Sequence, residues 1–202
     1  MVAEPHAAVW AAARPYMRSR GNDIHLPLSY ADAQWLLTHY PGADPEVVLL
    51  SVLLHDIGWA VLDQEKIISE GMGPNMMEAE IRYAHEKEGA RLAREILAEL
   101  DYDDDLIDEV AAIIDGHDTR LEPLSLNDKL MKDCDRLWRY TVVGVALSCL
   151  WTGKSPAEYE PSLMAQYDGF FTPEAEAKAR EHYAHTRAAL KVAALPAELP
   201  QT

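Results

Sequence analysis

Val47 to Trp59 reads VVLLSVLLHDIGW, an apolar run that ends in the dipeptide His55-Asp56 and continues at once into Ile57-Gly58. Only Ser51 interrupts the apolar residues between Val47 and Leu54. The segment is therefore hydrophobic all round, the pattern of a helix buried at the centre of a fold. An imidazole and a carboxylate at the end of such a helix are costly to bury alone. Each needs a hydrogen-bond partner or a metal ion, so the pair directs attention to what the flanking segments bring to the same point.

Upstream, Pro41 to Pro45 reads as a loop in which Asp44 caps the central helix and Pro45 takes its first position. A helix is predicted to start near Ser29, with Asp32 three residues on as in a capping box and Ala33, Leu36 and Leu37 at helical spacing. His25 lies just ahead of that start, after the turn Arg20-Gly21-Asn22-Asp23. Ala7 to Met17 reads as an alanine-rich helix anchored by Val9, Trp10 and Tyr16.

Downstream, Ala60 to Pro74 is expected to form a short helix and an irregular loop, serving as a lid or a plain connector. Asn75 with Glu78 opens a long helix to about Leu100, whose stripe Ile81, His85, Gly89, Leu92 and Ile96 turns His85 inward. The acidic string Asp101 to Asp105 reads as a solvated turn, since the spacing of a calcium loop is absent. Leu106, Val110, Ile113, Ile114 and His117 predict a further amphipathic helix. Ser125 with Asp128 caps the next, which is expected to run through Met131, Asp135, Trp138, Val142 and Val145. Gly153 to Pro161 reads as a loop, and Thr172-Pro173-Glu174 starts a terminal helix to about Val192.

No segment alternates as a strand would, no repeat period is visible and no composition break divides the chain. The expectation is one all-α domain of six to eight helices over residues 1–194, followed by a disordered tail at 195–202. The 202 residues carry 34 acidic against 18 basic side chains, a formal net charge of −16. Such a surface repels nucleic-acid polymers and anionic membranes, while a small phosphorylated partner is compatible with basic residues local to a site. The longest apolar runs, Val47 to Leu54 and Tyr140 to Trp151, are too short to span a bilayer, and no leader pattern opens the chain, so a cytoplasmic protein is expected. Tyr140 to Trp151 reads as core, with a homodimer interface as its second reading. Cys134 and Cys149, placed on one helix, would lie roughly 22 Å apart and are expected to be free thiols.

Histidines 25, 55, 85 and 117 recur at intervals of 30, 30 and 32 residues. That is about one helix plus its connector, hence one candidate ligand per helix, with Asp56 beside the second and Asp135 after the fourth. A single inward histidine is more often a satisfied core residue than a ligand. Six such positions in one small domain are harder to explain separately, because each unpaired buried polar group costs about 1–3 kcal/mol. One metal centre would satisfy them together.

The order His25, His55-Asp56, Asp135, with the strings LLHDIG and DCDRL, resembles the HD-domain superfamily of metal-dependent phosphohydrolases. The resemblance runs over residues 20–140. It implies a primary metal site of His25, His55, Asp56 and Asp135. His85 in HEKEGARLAREIL and His117 in IIDGHD are similar to the family's six-ligand variants, which hold two metals bridged by Asp56. Asp133 competes with Asp135, and Asp135 is preferred because the family's aspartate precedes a basic residue and a leucine, as in Asp135-Arg136-Leu137.

Imidazole and carboxylate without thiolate suit one or two divalent transition metals, whether iron, manganese, cobalt or zinc. Two ions about 3.5–4 Å apart would make a metal-bound hydroxide the nucleophile for a small phosphate ester or nucleotide. Arg82, Arg120, Lys132, Arg136 and Arg139 are candidates to bind the substrate anion, or are surface ion-pair partners. With Asp56, the candidate catalytic carboxylates are Glu86 and Asp118, which could orient the neighbouring imidazoles, transfer protons or simply face solvent. The alternative function is an HD-type mixed-valent diiron oxygenase cleaving a C–C or C–P bond of a small anion. Family members of that kind commonly place a lysine near a ligand, where this chain has Trp59 and Leu121.

Overall fold

The structure is a computed structural model and describes residues 6–69, 80–165 and 169–193. Its described residues form α-helices and short 3-10 turns, with no strand. The helices are α1 (Ala7–Ala13), α2 (Asn22–Leu37), α3 (Pro45–Leu54), α4 (Gln64–Ser69), α5 (Glu80–Glu99), α6 (Asp104–Ile114), α7 (Leu126–Leu137), α8 (Val142–Thr152), α9 (Pro156–Ala165) and α10 (Pro173–Ala193). The fold is all-α, as expected. The ten described helices exceed six to eight because the chain breaks where a continuous helix was anticipated and coils where a loop was.

The central segment forms α3. Asp44 caps it through its carboxylate, which accepts from the Glu46 and Val47 amides at 2.9 and 3.4 Å. Val48, Leu50, Val52, Leu53 and Leu54 are wholly buried, and α3 packs against α2, α6 and α7. Each of those three either carries or leads directly to a candidate ligand. The α5 helix lies along α6 and against the 3-10 turn Ile57–Val61 that follows His55-Asp56. That contact is backbone to backbone: a Cβ on Gly58 would sit 2.1 Å from the His85 carbonyl oxygen, and one on Gly89 would sit 2.9 Å from the His55 carbonyl oxygen. The two glycines thus let the turn bearing the dipeptide touch the helix bearing His85.

Four expectations change. The second helix starts at Asn22 instead of Ser29, because Gly21, at φ 71°, takes the left-handed position at its N-terminus. Burial of His25, Leu26, Tyr30, Ala33 and Leu36 outweighs the helical bond that Pro27 cannot donate. His117 is not on a helix: α6 ends at Ile114, and Gly116 (φ 119°) turns the chain so that His117 follows in a tight turn. The helix through Asp135 stops at Leu137, and α8 begins afresh after Thr141, whose hydroxyl accepts from the Gly144 amide at 3.1 Å. Residues expected to form the Gly153–Pro161 loop largely form α9, in which Tyr159 and Leu163, four apart, are buried.

Cys134 and Cys149 are both free, though they lie on different helices. The run Tyr140–Trp151 divides, with Tyr140 and Val145 buried and Leu150 exposed. Among the described residues no helix is long and apolar enough to cross a membrane. The expected loop at Gly71–Pro74, the opening of the long helix at Asn75 and the tail lie outside the described residues.

Candidate metal centre

The end of α3 delivers His55 to the centre of the domain, wholly buried. Its Nδ1–H donates to the Val52 carbonyl at 2.9 Å, which turns Nε2 inward. His117 is fixed in the same way, Nδ1–H donating to the Ile114 carbonyl at 2.9 Å. These two rings, one after each of two packed helices, therefore present the same nitrogen.

Asp135 and His25 meet them from α7 and α2. Asp135 Oδ1 lies 2.9 Å from His25 Nε2 and 3.2 Å from His55 Nε2. Neither nitrogen makes an aligned hydrogen bond, although both are buried. Close polar atoms whose lone pairs and protons do not address one another are arranged to address a third point, which is the geometry of ligands around a cation. His25, His55 and Asp135 form one such triad. His55, Asp56 and His117 form a second, and His85, His117 and Asp118 a third. Asp56 Oδ1 is 3.6 Å from His85 Nε2 and 3.5 Å from His117 Nε2, while its Oδ2 is 3.5 Å from His25 Nδ1. One carboxylate thus reaches toward both ends of the cluster.

Stacked indoles wall the site. Trp59 lies on the His85 ring at 4.0 Å and donates its Nε1–H to Asp56 Oδ1 at 3.0 Å. Trp138 lies on the His25 ring at 4.4 Å. Asn22 donates to the Asp56 carbonyl at 2.9 Å. Burial would raise the Asp56 and Asp135 pKa values, but His55 and its neighbouring histidines hold Asp56, and Arg139 and His25 hold Asp135, well below the carboxylate range. For His117 burial is overcome by Asp56 and Asp118, and its pKa is pushed up to about 9. His85 goes the other way: burial and the adjacent His117 bring it down to about 3, so its ring is neutral. A buried set of ionised carboxylates and imidazoles, in which His25 Nε2 and His55 Nε2 lack aligned hydrogen-bond partners, fits a transition-metal ion.

The other candidates sort by placement. Asp133 faces away from the cluster, accepting from the Phe171 amide at 2.8 Å and the Thr172 hydroxyl at 2.6 Å. Glu86 clamps the turn after His117: Oε1 accepts from the Asp118 and Thr119 amides at 2.7 and 2.8 Å, and Oε2 from the Thr119 hydroxyl at 2.6 Å. Lys132, buried, donates to the Gly116 and His117 carbonyls at 2.7 Å and to that of Arg120 at 3.1 Å. Arg120 binds the Ala112 and Asp115 carbonyls beside Asp128. Arg136 lies over the Phe171 ring. Two cations do border the cluster: Arg139 donates to Asp135 at 2.9 Å, and Arg82 contacts the Asp118 carboxylate at 3.4 Å.

Sequence reasoning missed Arg20, Asn22, Trp59 and Trp138 as parts of the site. Arg20 and Asn22 read as turn residues, and the indoles carry no ligand signal. Their one legible mark is adjacency, since each lies within five residues of a candidate ligand.

The model of the HD domain family matches residues 24–139. Among solved structures the chain is similar to the crystal structure of a predicted HD superfamily hydrolase from an uncultured Thermotogales bacterium. The TM-score is 0.62 at 19% identity, covering 93% of this chain and 90% of that one. At that identity the likeness shows the fold. No curated protein matches the chain.

Proposed function

Because this chain belongs to the HD domain family, we propose that it is a metal-dependent phosphohydrolase acting on a small phosphate ester or nucleotide. The carrying observation is the convergence of His25, His55 and Asp135 with His55, Asp56 and His117 around unaligned contacts. In this reading His25, His55, Asp56 and Asp135 hold one divalent ion, and Asp56 with His85 and His117 holds a second. Asp118 lies within reach of the second set. A bound divalent ion supplies two things to phosphoester hydrolysis, an acidified water and a polarised phosphoryl oxygen.

The protein's own groups set the charge and shape around that chemistry. Three carboxylates, Asp56, Asp118 and Asp135, stand among three guanidiniums, Arg20, Arg82 and Arg139. With the His117 imidazole also held in its charged form, the cationic groups match or exceed the carboxylates, and a bound divalent ion would make the centre more attractive still to an oxyanion. Trp59 and Trp138 exclude water from one face each of His85 and His25. The Glu86 and Lys132 contacts hold the turn that presents His117.

The test is phosphate release by protein loaded in turn with manganese, cobalt, zinc and iron, over a panel of phosphomonoesters, nucleotides and cyclic dinucleotides. Release that vanishes in Asp56→Ala supports the reading. Absence of release across the panel, together with native iron content and substrate-dependent oxygen uptake, would replace it with the diiron oxygenase.

A further inference from the structure

We propose that Trp59 and Trp138 are positioning residues of the centre. Each forms the face of a clamp that an aspartate three residues earlier closes at the edge, and each clamp sets one candidate metal-ligating imidazole. The inference rests on the proposed pair of metal ions and adds to it what orients His85 and His25.

The pattern occurs twice in the chain, as Asp56-Ile57-Gly58-Trp59 and as Asp135-Arg136-Leu137-Trp138. In helical or 3-10 backbone, residues three apart lie on one side. The turn Ile57–Val61 supplies that backbone for the first pair, and the end of α7 for the second. Each pair meets a histidine brought by another helix. Asp56 Oδ1 lies 3.6 Å from His85 Nε2, and the Trp59 ring lies 4.0 Å from the His85 ring, 12° from parallel. Asp135 Oδ1 lies 2.9 Å from His25 Nε2, and the Trp138 ring lies 4.4 Å from the His25 ring, 26° from parallel. Both indoles are buried.

These two imidazoles are the ones that need such support. His55 and His117 are tied through Nδ1–H to the Val52 and Ile114 carbonyls, the common way of fixing a ligating ring. His25 and His85 have no such tie. The nitrogens of His25 lie against Asp56 and Asp135, and the buried Nδ1 of His85 has no hydrogen-bond partner among the described residues. Rotation of an imidazole about its Cβ–Cγ bond is soft, so an untied ring would swing its nitrogens away from a common point. An indole lying flat on the ring blocks that rotation, because turning would drive the ring edge into the indole face. The clamps differ in one respect. Trp59 Nε1–H also donates to Asp56 Oδ1 at 3.0 Å, whereas Trp138 Nε1–H has no partner among the described residues. Trp138 therefore acts by its face alone, and Trp59 by face and donor together.

The test titrates zinc calorimetrically into full-length, metal-free Trp59→Leu, Trp59→Phe, Trp138→Leu and Trp138→Phe. His85→Ala and His25→Ala serve as references for the loss of each ion, and every metal-free protein is melted alongside. Wild type should take up two zinc ions. Trp59→Leu should weaken the step that His85→Ala removes, and Trp138→Leu the step that His25→Ala removes, each about tenfold to a hundredfold. Phenylalanine keeps a flat ring, so Trp138→Phe should bind zinc as wild type does. Trp59→Phe lacks the donor to Asp56 and should recover only part of the affinity. Leucine variants that bind both ions as tightly as wild type would overturn the inference. So would phenylalanine variants that lose zinc as fully as the leucine ones, or losses at both steps that track a lowered metal-free melting temperature, since either marks the indoles as core packing. A wild type that takes up a single ion would overturn the division between the clamps. No phosphate ester enters the titration, so its outcome is independent of whether the chain hydrolyses one.

Discussion

Asp56 stands in the middle of the candidate centre. One of its oxygens lies near His85 and His117 and the other near His25, while Trp59 and Asn22 fix its side chain and carbonyl. Asp56→Ala should therefore abolish stable metal binding at both ends of the cluster, read as metal per chain by elemental analysis after desalting. Retention of a full complement would refute the shared role. Asp135→Ala should lose metal and Asp133→Ala should keep it, since Asp133 points to Phe171 and Thr172. Glu86 gives a contrasting case. Its carboxylate accepts three hydrogen bonds from the turn beside His117, so Glu86→Ala leaves two amides unpaired and should cost about 1–3 kcal/mol in a denaturant melt. A variant with full stability but a collapsed kcat would instead make Glu86 a proton donor or acceptor in turnover.

At the scale of elements, the decisive contact joins the turn Ile57–Val61 to α5. Gly58→Ala would press a Cβ to 2.1 Å from the His85 carbonyl and 2.4 Å from the Gly89 amide nitrogen. Neither backbone can yield without moving a candidate ligand, so a loss of about 3 kcal/mol or more, with loss of metal, is expected. Gly153→Ala is the control. Gly153 has φ 67° with nothing within 4 Å of its Cβ position, so it should lose only about 1–2 kcal/mol and keep metal. A second element contact is pH-dependent. The Tyr40 hydroxyl donates to Glu174 in the first turn of α10, and burial followed by that carboxylate pushes its pKa up to about 12. The folded state thus favours the neutral phenol. The stabilisation is whole below the unfolded value near 10 and is lost as pH rises through about 12. Tyr40→Phe should melt below wild type at pH 8, and the gap should narrow as scans approach pH 11.5; a constant gap would rule out this linkage.

The described helices pack around α3, and the candidate ligands sit at their junctions, so metal binding there would couple the site to stability. An ion bound only by the folded state at a hundred times its dissociation constant adds about 2.7 kcal/mol. Chelation of metal-loaded protein should therefore lower its melting temperature by about 5–10 °C, at the few degrees per kcal/mol expected for this size. An unchanged melt after verified metal removal would argue against the centre.

Much of this was legible in the chain. Continuous apolarity at Val47–Leu54 placed the central helix, the Asp44 and Ser125 caps placed two helix starts, and periodic stripes turned His85 and Asp135 inward, because local spacing and capping chemistry act within a few residues. The strings around His55-Asp56 and Asp135 identified the family. What spacing could not convey was where burial overrides a local signal. Ser29 and Asp32 imitate a cap inside a helix that starts at Asn22, and the turns at Gly116 and at Trp138–Thr141 interrupt helices whose apolar period continues past them. Nor could it say which basic side chains face the centre. Lys132 and Arg120 stand beside ligands in sequence yet bind backbone carbonyls, whereas Arg20, in an apparent surface turn, lies against Trp59 and among the site's carboxylates. Direction at that level is set by contacts between residues tens of positions apart, so the amino-acid order determined the helices and the candidate ligand types, and the packing of α2, α6 and α7 on α3, with α5 against the turn Ile57–Val61, decided the site's walls and the charged groups around it.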